Sequence, residues 1–333
     1  MKKINLFGAM LSIIIIACLG SNPVFATSSE EKETSPNNNS LTESITAPEI
    51  PFSSQKLDPQ DPASYWTKEK MKNAIPADKI KTDENDSTPK DFTPPSLGEP
   101  TNISDPILPQ ETNTNFKLAN ANVPSTAGKM FYSSGGLNYS CSAAAINSPY
   151  KNLVMTAGHC VHQGNGGNWH SNMAFVPAYY NGSTPYGIWT WKQARTFVSW
   201  MNDRNYDYDQ AFFSVFPKDG RNLINTVGGN GLSTGYGTNQ PNVRIWGWPA
   251  QDPYDGEYPY YCEGPTSRSG SDASMRCRMN EGASGGPWLR TIVDEDLGHV
   301  FAITSRRSSS GTPTLYATPN SSAVGDMYDQ MKE

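Results

Sequence analysis

The chain has 333 residues, a formal net charge of −6 and only four histidines. An acidic balance with no basic stripe argues against nucleic-acid binding, which rests on neutralising phosphates. Beyond the N-terminus no stretch reaches the ~20 consecutive apolar residues of a membrane-spanning helix, so the processed chain is expected to be soluble.

Residues 1–26 read as an export signal. Met1-Lys2-Lys3 is basic, Leu11 to Leu19 is almost continuously apolar, and Val24-Phe25-Ala26 has the small-residue pattern of a cleavage site. Cleavage is expected after Ala26, giving a secreted protein. Ile15-Ile16-Ala17-Cys18 also fits a lipoprotein signal, in which Cys18 would be lipidated and retain the chain at the membrane.

The next stretch, 27–117, is a polar leader. Between Thr27 and Asn115 there is no cysteine and one glycine, Gly98, while Pro, Ser, Thr, Asn and charged residues dominate. So little apolar area cannot offset the entropy of ordering, and most of this stretch is expected to be disordered. One island differs: from Ser64 to Ala74, a cap-like serine precedes Tyr65, Trp66, Glu69 and Met71, a short amphipathic helix that Pro76 would stop. Alone it is too short to be stable and needs a partner.

Residues 118–333 change character, with Gly-rich turns, most of the aromatic residues and short apolar runs such as Leu153-Val154-Met155 and Ala211 to Val215, which read as strands. With Cys18 in the signal, Cys141, Cys160, Cys262 and Cys277 remain, an even number that permits three pairings. His159, Cys160, His162 and His170 are metal-ligand types, but no second Cys/His cluster at ligand spacing completes a tetrahedral site. No metal or cofactor is expected.

Two segments carry chemistry: Thr156-Ala157-Gly158-His159-Cys160 and Gly282-Ala283-Ser284-Gly285-Gly286-Pro287. A serine hydroxyl is a poor nucleophile until a neutral imidazole within hydrogen-bond reach takes its proton, and Ser284 and His159 fit those roles. Glycines around a nucleophile let the chain turn tightly enough to aim backbone N–H groups, here those of Gly282 and Ser284, at an oxyanion. A buried carboxylate should orient the imidazole. Asp209 opens the apolar run Ala211 to Val215 and is preferred over Asp203 and Asp207, whose polar or aromatic surroundings suit solvated loop acids. The order His-Asp-Ser differs from the Ser-Asp-His order of α/β-hydrolases.

Together these motifs resemble those of chymotrypsin-like serine peptidases. The Tyr65-Trp66-Thr67 island and Trp246-Gly247-Trp248-Pro249-Ala250 resemble segments of the secreted bacterial branch related to V8-type glutamyl endopeptidases. The resemblance implies an all-β fold of two orthogonal antiparallel six-stranded Greek-key β-barrels, with His159 and Asp209 on the first, Ser284 on the second and a peptide cleft between. It implies a Cys141–Cys160 disulfide, which leaves Cys262 with Cys277. It makes residues 27–117 a propeptide that inhibits or assists folding, in a monomeric enzyme acting on proteins or peptides. Ser305, after the apolar run Val300 to Ile303, would stand beside the buried acid, and Thr304 where glutamate-specific relatives commonly carry a histidine. Arg278 would lie at the pocket base, with Arg306 and Arg307 following the pocket strand, so cleavage after acidic residues is expected. Ala283 departs from the aspartate of trypsin-like animal enzymes and excludes activation by an ion pair with a new N-terminus. The rival reading is a secreted, non-catalytic binding or adhesion protein, with the aromatic run Trp246 to Tyr261 as a ligand platform rather than barrel core.

Overall fold

Short β-branched and aromatic runs bounded by glycine turns build the molecule. The computed structural model describes residues 40–48, 62–81, 95–110, 123–294 and 296–332. The signal-like residues 1–26, including Cys18 and the cleavage site expected after Ala26, lie outside the described residues. Among the described residues no helix is long and apolar enough to cross a membrane.

The leader supplies β1 (Thr42–Thr46), α1 (Pro62–Tyr65), α2 (Lys68–Lys72), β2 (Ile75–Pro76), β3 (Ile80–Lys81) and β4 (Thr101–Ser104). After it come β5 (Ala127–Ser134), β6 (Leu137–Ile146), β7 (Leu153–Thr156), β8 (Ser171–Pro177), β9 (Trp189–Phe197) and β10 (Ala211–Val215). These six close into an antiparallel barrel in the order β5-β6-β7-β10-β9-β8, with β8 returning to β5. Gly135 and Gly136 make the β5–β6 hairpin: both have positive φ, +56° and +81°, the combination a tight two-residue turn needs and that side chains with Cβ resist. Phe131, Phe175, Phe212, Phe213 and Trp189 fill the interior, each worth roughly 2–3 kcal/mol of apolar burial.

The second half comprises β11 (Gly231–Thr234), β12 (Val243–Gly247), β13 (Tyr260–Gly264), β14 (Ser267–Ser269), β15 (Asp272–Arg276), β16 (Pro287–Asp294), β17 (Leu297–Ile303), β18 (Arg306–Ser308) and β19 (Thr314–Ala317). They form one sheet in the order β13-β12-β16-β17-β11-β4 and another in the order β14-β15-β19-β18-β3. Val243, Ile245, Trp288, Phe301 and Leu315 belong to its separate core. The all-β, two-barrel architecture expected from the sequence is the one observed. Trp246 and Trp248 are buried and Trp248 donates its indole N–H to the Tyr179 carbonyl, so these two residues are core.

The two expected disulfides are present. Cys141 bridges Cys160 with a Cα–Cα distance of 6.3 Å, and Cys262 bridges Cys277 at 5.8 Å. Closing loops of this size stabilises the fold by about 3 kcal/mol each.

The described residues of the leader are folded onto the domain. It builds no core of its own and instead extends the domain's sheets: β1 on β9, β2 on β6, β3 on β18 and β4 on β11. The island is two short helices rather than one, because Thr67, not Ser64, is the cap: its hydroxyl accepts the Lys70 N–H. Trp66 is buried, donates its indole N–H to the Asn172 carbonyl at 2.7 Å and packs 5.2 Å from the Phe131 ring. Met71 is buried in the same core.

Candidate active site

The extended β7 ends at Thr156, and after Ala157 the chain tightens into a 3₁₀ turn, Gly158–Cys160, pinned by the Cys160–Cys141 bridge to β6. A side chain at Gly158 would be crowded, since a Cβ there would lie 3.0 Å from Trp200 and 3.1 Å from the Asp209 carboxylate. His159 therefore sits against the acid. Asp209 lies between the 3₁₀ turn Tyr206–Tyr208 and β10.

The contacts of Asp209 are complete. Its Oδ2 meets His159 Nδ1 at 2.8 Å and accepts the Ser305 hydroxyl at 2.6 Å, while Oδ1 accepts the backbone N–H of His159 at 2.8 Å. His159, Asp209 and Ser305 are all buried. Burial by itself pushes the Asp209 carboxyl up, but attraction to His159 and the hydrogen bonds from His159 and Ser305 outweigh it, and its pKa lies below the usual carboxylate range. The two competing acids stand elsewhere: Asp203 is exposed, and Asp207 accepts the Ser271 hydroxyl. Behind the imidazole, His170 approaches the His159 carbonyl at 3.2 Å and stacks 4.3 Å from Tyr132. Burial drives its pKa down to about 3, which keeps this ring neutral.

Ser284 occupies a tight loop between Asn280 and β16. Gly282 and Gly285 have positive φ, +91° and +80°, and a Cβ on Gly285 would strike the Ser142 carbonyl and the Thr156 hydroxyl at 2.2 Å. Hydrogen bonds from Ser142 N–H to the Ser284 carbonyl and from Gly285 N–H to the Thr304 carbonyl fasten the loop to both halves. Ser284 is buried, and His159 Nε2, the atom that would face it, has no hydrogen-bond partner. Nucleophile–base contacts are commonly long without substrate and tighten when it binds. The Gly282 N–H is occupied, donating to the carbonyl of the leader's Ala77 at 2.9 Å.

The four remaining candidates for substrate contact separate. Thr304 is buried and accepts the Trp288 indole N–H at 2.8 Å. Arg306 is buried in an ion pair with Asp272, its guanidinium 4.5 Å from the centre of the Tyr206 ring. Arg278 is exposed, and together with Arg307 it lines a cavity of about 200 Å³. Arg307 is held by Asp78 in two bonds of 2.8 Å and by Glu281 at 3.2 Å. Sequence reasoning missed Ala77, Asp78, Glu281 and Asp272, which carry no motif and reach the site only through long-range pairing.

Among the described residues, Cys141, His159 and Cys160 bring three metal-ligand atoms within 4.8 Å of one another. Both sulfurs are committed to the disulfide, so this donor set does not suit a zinc ion.

No protein-family model matches the chain, and no curated protein matches it either. Solved structures do. A thermostable serine protease, AL20, from an extremophilic microorganism is 26% identical with a TM-score of 0.57, the alignment covering 62% of this chain and 96% of AL20. The protease Anisep from Arthrobacter nicotinovorans is 30% identical with a TM-score of 0.57, covering 63% of this chain and 96% of Anisep. A Glu endopeptidase, 19% identical with a TM-score of 0.51 and aligned over 68% of this chain and 96% of its own, shares the fold.

Proposed function

Since the chain belongs to the chymotrypsin-like serine peptidases, we propose that it is a secreted serine endopeptidase, made with a signal and propeptide, that uses His159, Asp209 and Ser284. The observation carrying this reading is the buried His159–Asp209–Ser305 network, 2.8 Å and 2.6 Å long, which fixes Nδ1–H toward Asp209 and leaves Nε2 as the base. Ser284 Oγ attacks the peptide carbonyl carbon while His159 takes its proton. The tetrahedral oxyanion receives the N–H groups of Gly282 and Ser284. His159 then gives the proton to the departing amine, and water repeats the sequence on the acyl-enzyme. Asp209 stabilises the imidazolium by the same contacts that hold its own pKa down. The disulfides suit an oxidising, extracellular setting.

Arg278 and Arg307 on one cavity next to the nucleophile loop favour cleavage after Glu or Asp and disfavour Lys or Arg by like-charge repulsion. Replacement of Ser284 by Ala is expected to lower turnover by roughly 10⁶-fold and to abolish labelling by a fluorophosphonate; undiminished turnover sinks the assignment. A peptide library profiles the acidic preference separately.

A further inference from the structure

The leader residues 75–81 cross the candidate site. Ala77 is buried and takes part at both ends: its N–H donates to the Ser140 carbonyl at 2.8 Å, and its carbonyl accepts the Gly282 N–H. Two residues on, the Lys79 carbonyl accepts the Arg307 N–H at 2.9 Å. β2 enters parallel to β6 and β3 leaves parallel to β18. Lys79 lies close enough to Asp209 for the two charges to interact, although burial, its largest influence, holds its ammonium below the usual lysine range. Ala77 and Lys79 also line, with His159, Tyr132, His170 and Arg204, a cavity of about 480 Å³.

Between these backbone contacts stands one side-chain recognition event. Asp78 places both carboxylate oxygens on the Nε and Nη2 edge of Arg307, at 2.8 Å each. This fork-to-fork geometry is the strongest and most selective way a guanidinium reads a carboxylate. Both side chains are largely shielded, about one-fifth exposed. Glu281 touches only Nη2, so without Asp78 the Nε and Nη2 edge has lost its fork partner and stays partly neutralised, on a residue that lines the cavity beside Asn280 of the nucleophile loop.

Resting on the peptidase reading, we propose that Arg307 is the specificity-determining residue of the cleft, a binding site for a carboxylate side chain of the peptide substrate, and that Asp78 fills it in the full chain. Asp78 thus makes the carboxylate contact of a substrate side chain one residue beyond the Ala77 carbonyl that occupies an oxyanion donor. The segment fills the site without placing its acid before the bond at that donor, and the precursor is latent. Arg278 stands exposed on the same cavity wall, and Arg306 is turned into the core by Asp272; Arg307 is the one paired with a carboxylate of the leader.

The test uses the full chain. Hydrogen exchange of the Ala77 and Arg307 amides is expected to be slow in the wild type and to speed up ten- to hundredfold in Asp78→Asn and in Arg307→Gln. The double variant should exchange no faster than either single one. Unchanged exchange in Asp78→Asn, or effects that simply add, overturns the proposal. Paired peptides differing only in Glu against Gln provide the second readout: Asp78→Asn should favour the Glu peptide about tenfold through KM, and Asp78→Asn with Arg307→Gln should lose that preference, the two peptides then being turned over alike. A preference retained in the double variant overturns the assignment of Arg307. Cleavage of the full chain between Ala77 and Asp78, seen by mass spectrometry, would make the segment a substrate and overturn its role as occupant. Faster exchange without turnover of either peptide sinks the peptidase reading and supports the Asp78–Arg307 site; turnover with unchanged exchange does the reverse.

Discussion

The two halves of the candidate site are finished to different degrees. On the first barrel, Asp209 has its hydrogen bonds supplied from within the domain, by His159 and Ser305. On the second, Gly282 turns its N–H outward and takes the carbonyl of Ala77, a leader residue. The His159–Asp209 pair is complete without a ligand, whereas the donor proposed for the oxyanion has to be exchangeable, because the group it would serve exists only during reaction. Preorganisation is affordable where the partner is permanent and has to remain unsatisfied or replaceable where the partner is substrate.

The comparison can be broken most strongly on the acid–base side. Asp209→Asn removes the acceptor that fixes the imidazole tautomer, and kcat is expected to fall about 10⁴-fold with little change in KM, measured on a chromogenic peptide. On the nucleophile side, Gly282→Ala puts a Cβ 2.6 Å from the Trp248 carbonyl at a φ of +91°. Turnover should drop about 10²- to 10³-fold as the donor is displaced, and the Ala77 contact should weaken with it. A variant with normal turnover would mean that Gly282 N–H is not an oxyanion donor.

Trp66→Ala sharpens the contrast differently, by loosening the leader from the first barrel without touching the catalytic groups. Losing a buried indole costs about 3–5 kcal/mol, and the loss should appear as faster hydrogen exchange across residues 62–81. The smallest effect is expected from His170. Its folded pKa of about 3 lies below the ~6.5 of an unfolded histidine, so as pH falls below 6.5 the unfolded chain takes up a proton that the folded chain refuses. Stability should decline by about 1.4 kcal/mol per pH unit between those values and stay level, for this group, above 6.5. Urea midpoints measured from pH 7 to 4 should fall less steeply in His170→Phe, which keeps a ring against Tyr132.

Most of the candidate site was legible in the sequence because its geometry is local. Gly158-His159-Cys160 and Gly282 to Gly286 are tight turns whose small residues are required by the contacts quoted above, so the need for them is written into adjacent positions. The acid was harder. Asp209 differs from Asp203 and Asp207 only in opening a buried strand, and nothing adjacent announces Ser305 as its partner. The arginines were less legible still: Arg306 and Arg307 are neighbours, yet one is neutralised by Asp272 in the core and the other pairs with Asp78 of the leader, since successive residues of a strand point to opposite faces. The leader's placement could not be read from composition. A polar segment with few apolar residues can still order when it adds strands to existing sheets and contributes a few side chains, Trp66, Met71, Ala74 and Ala77 buried among them, to a core built by others.

That strand addition has a consequence for how latency would end. While β2 and β3 belong to the same chain as the cleft, they meet it at an effective concentration of order mM, so modest contacts keep the site occupied. One backbone cut between β4 and β5 breaks no contact at the cleft, yet it turns the occupant into an ordinary dissociable ligand. From then on its departure obeys dilution. A concentrated pool would stay quiet after the cut, and the same molecules dispersed would become active without any further chemical step.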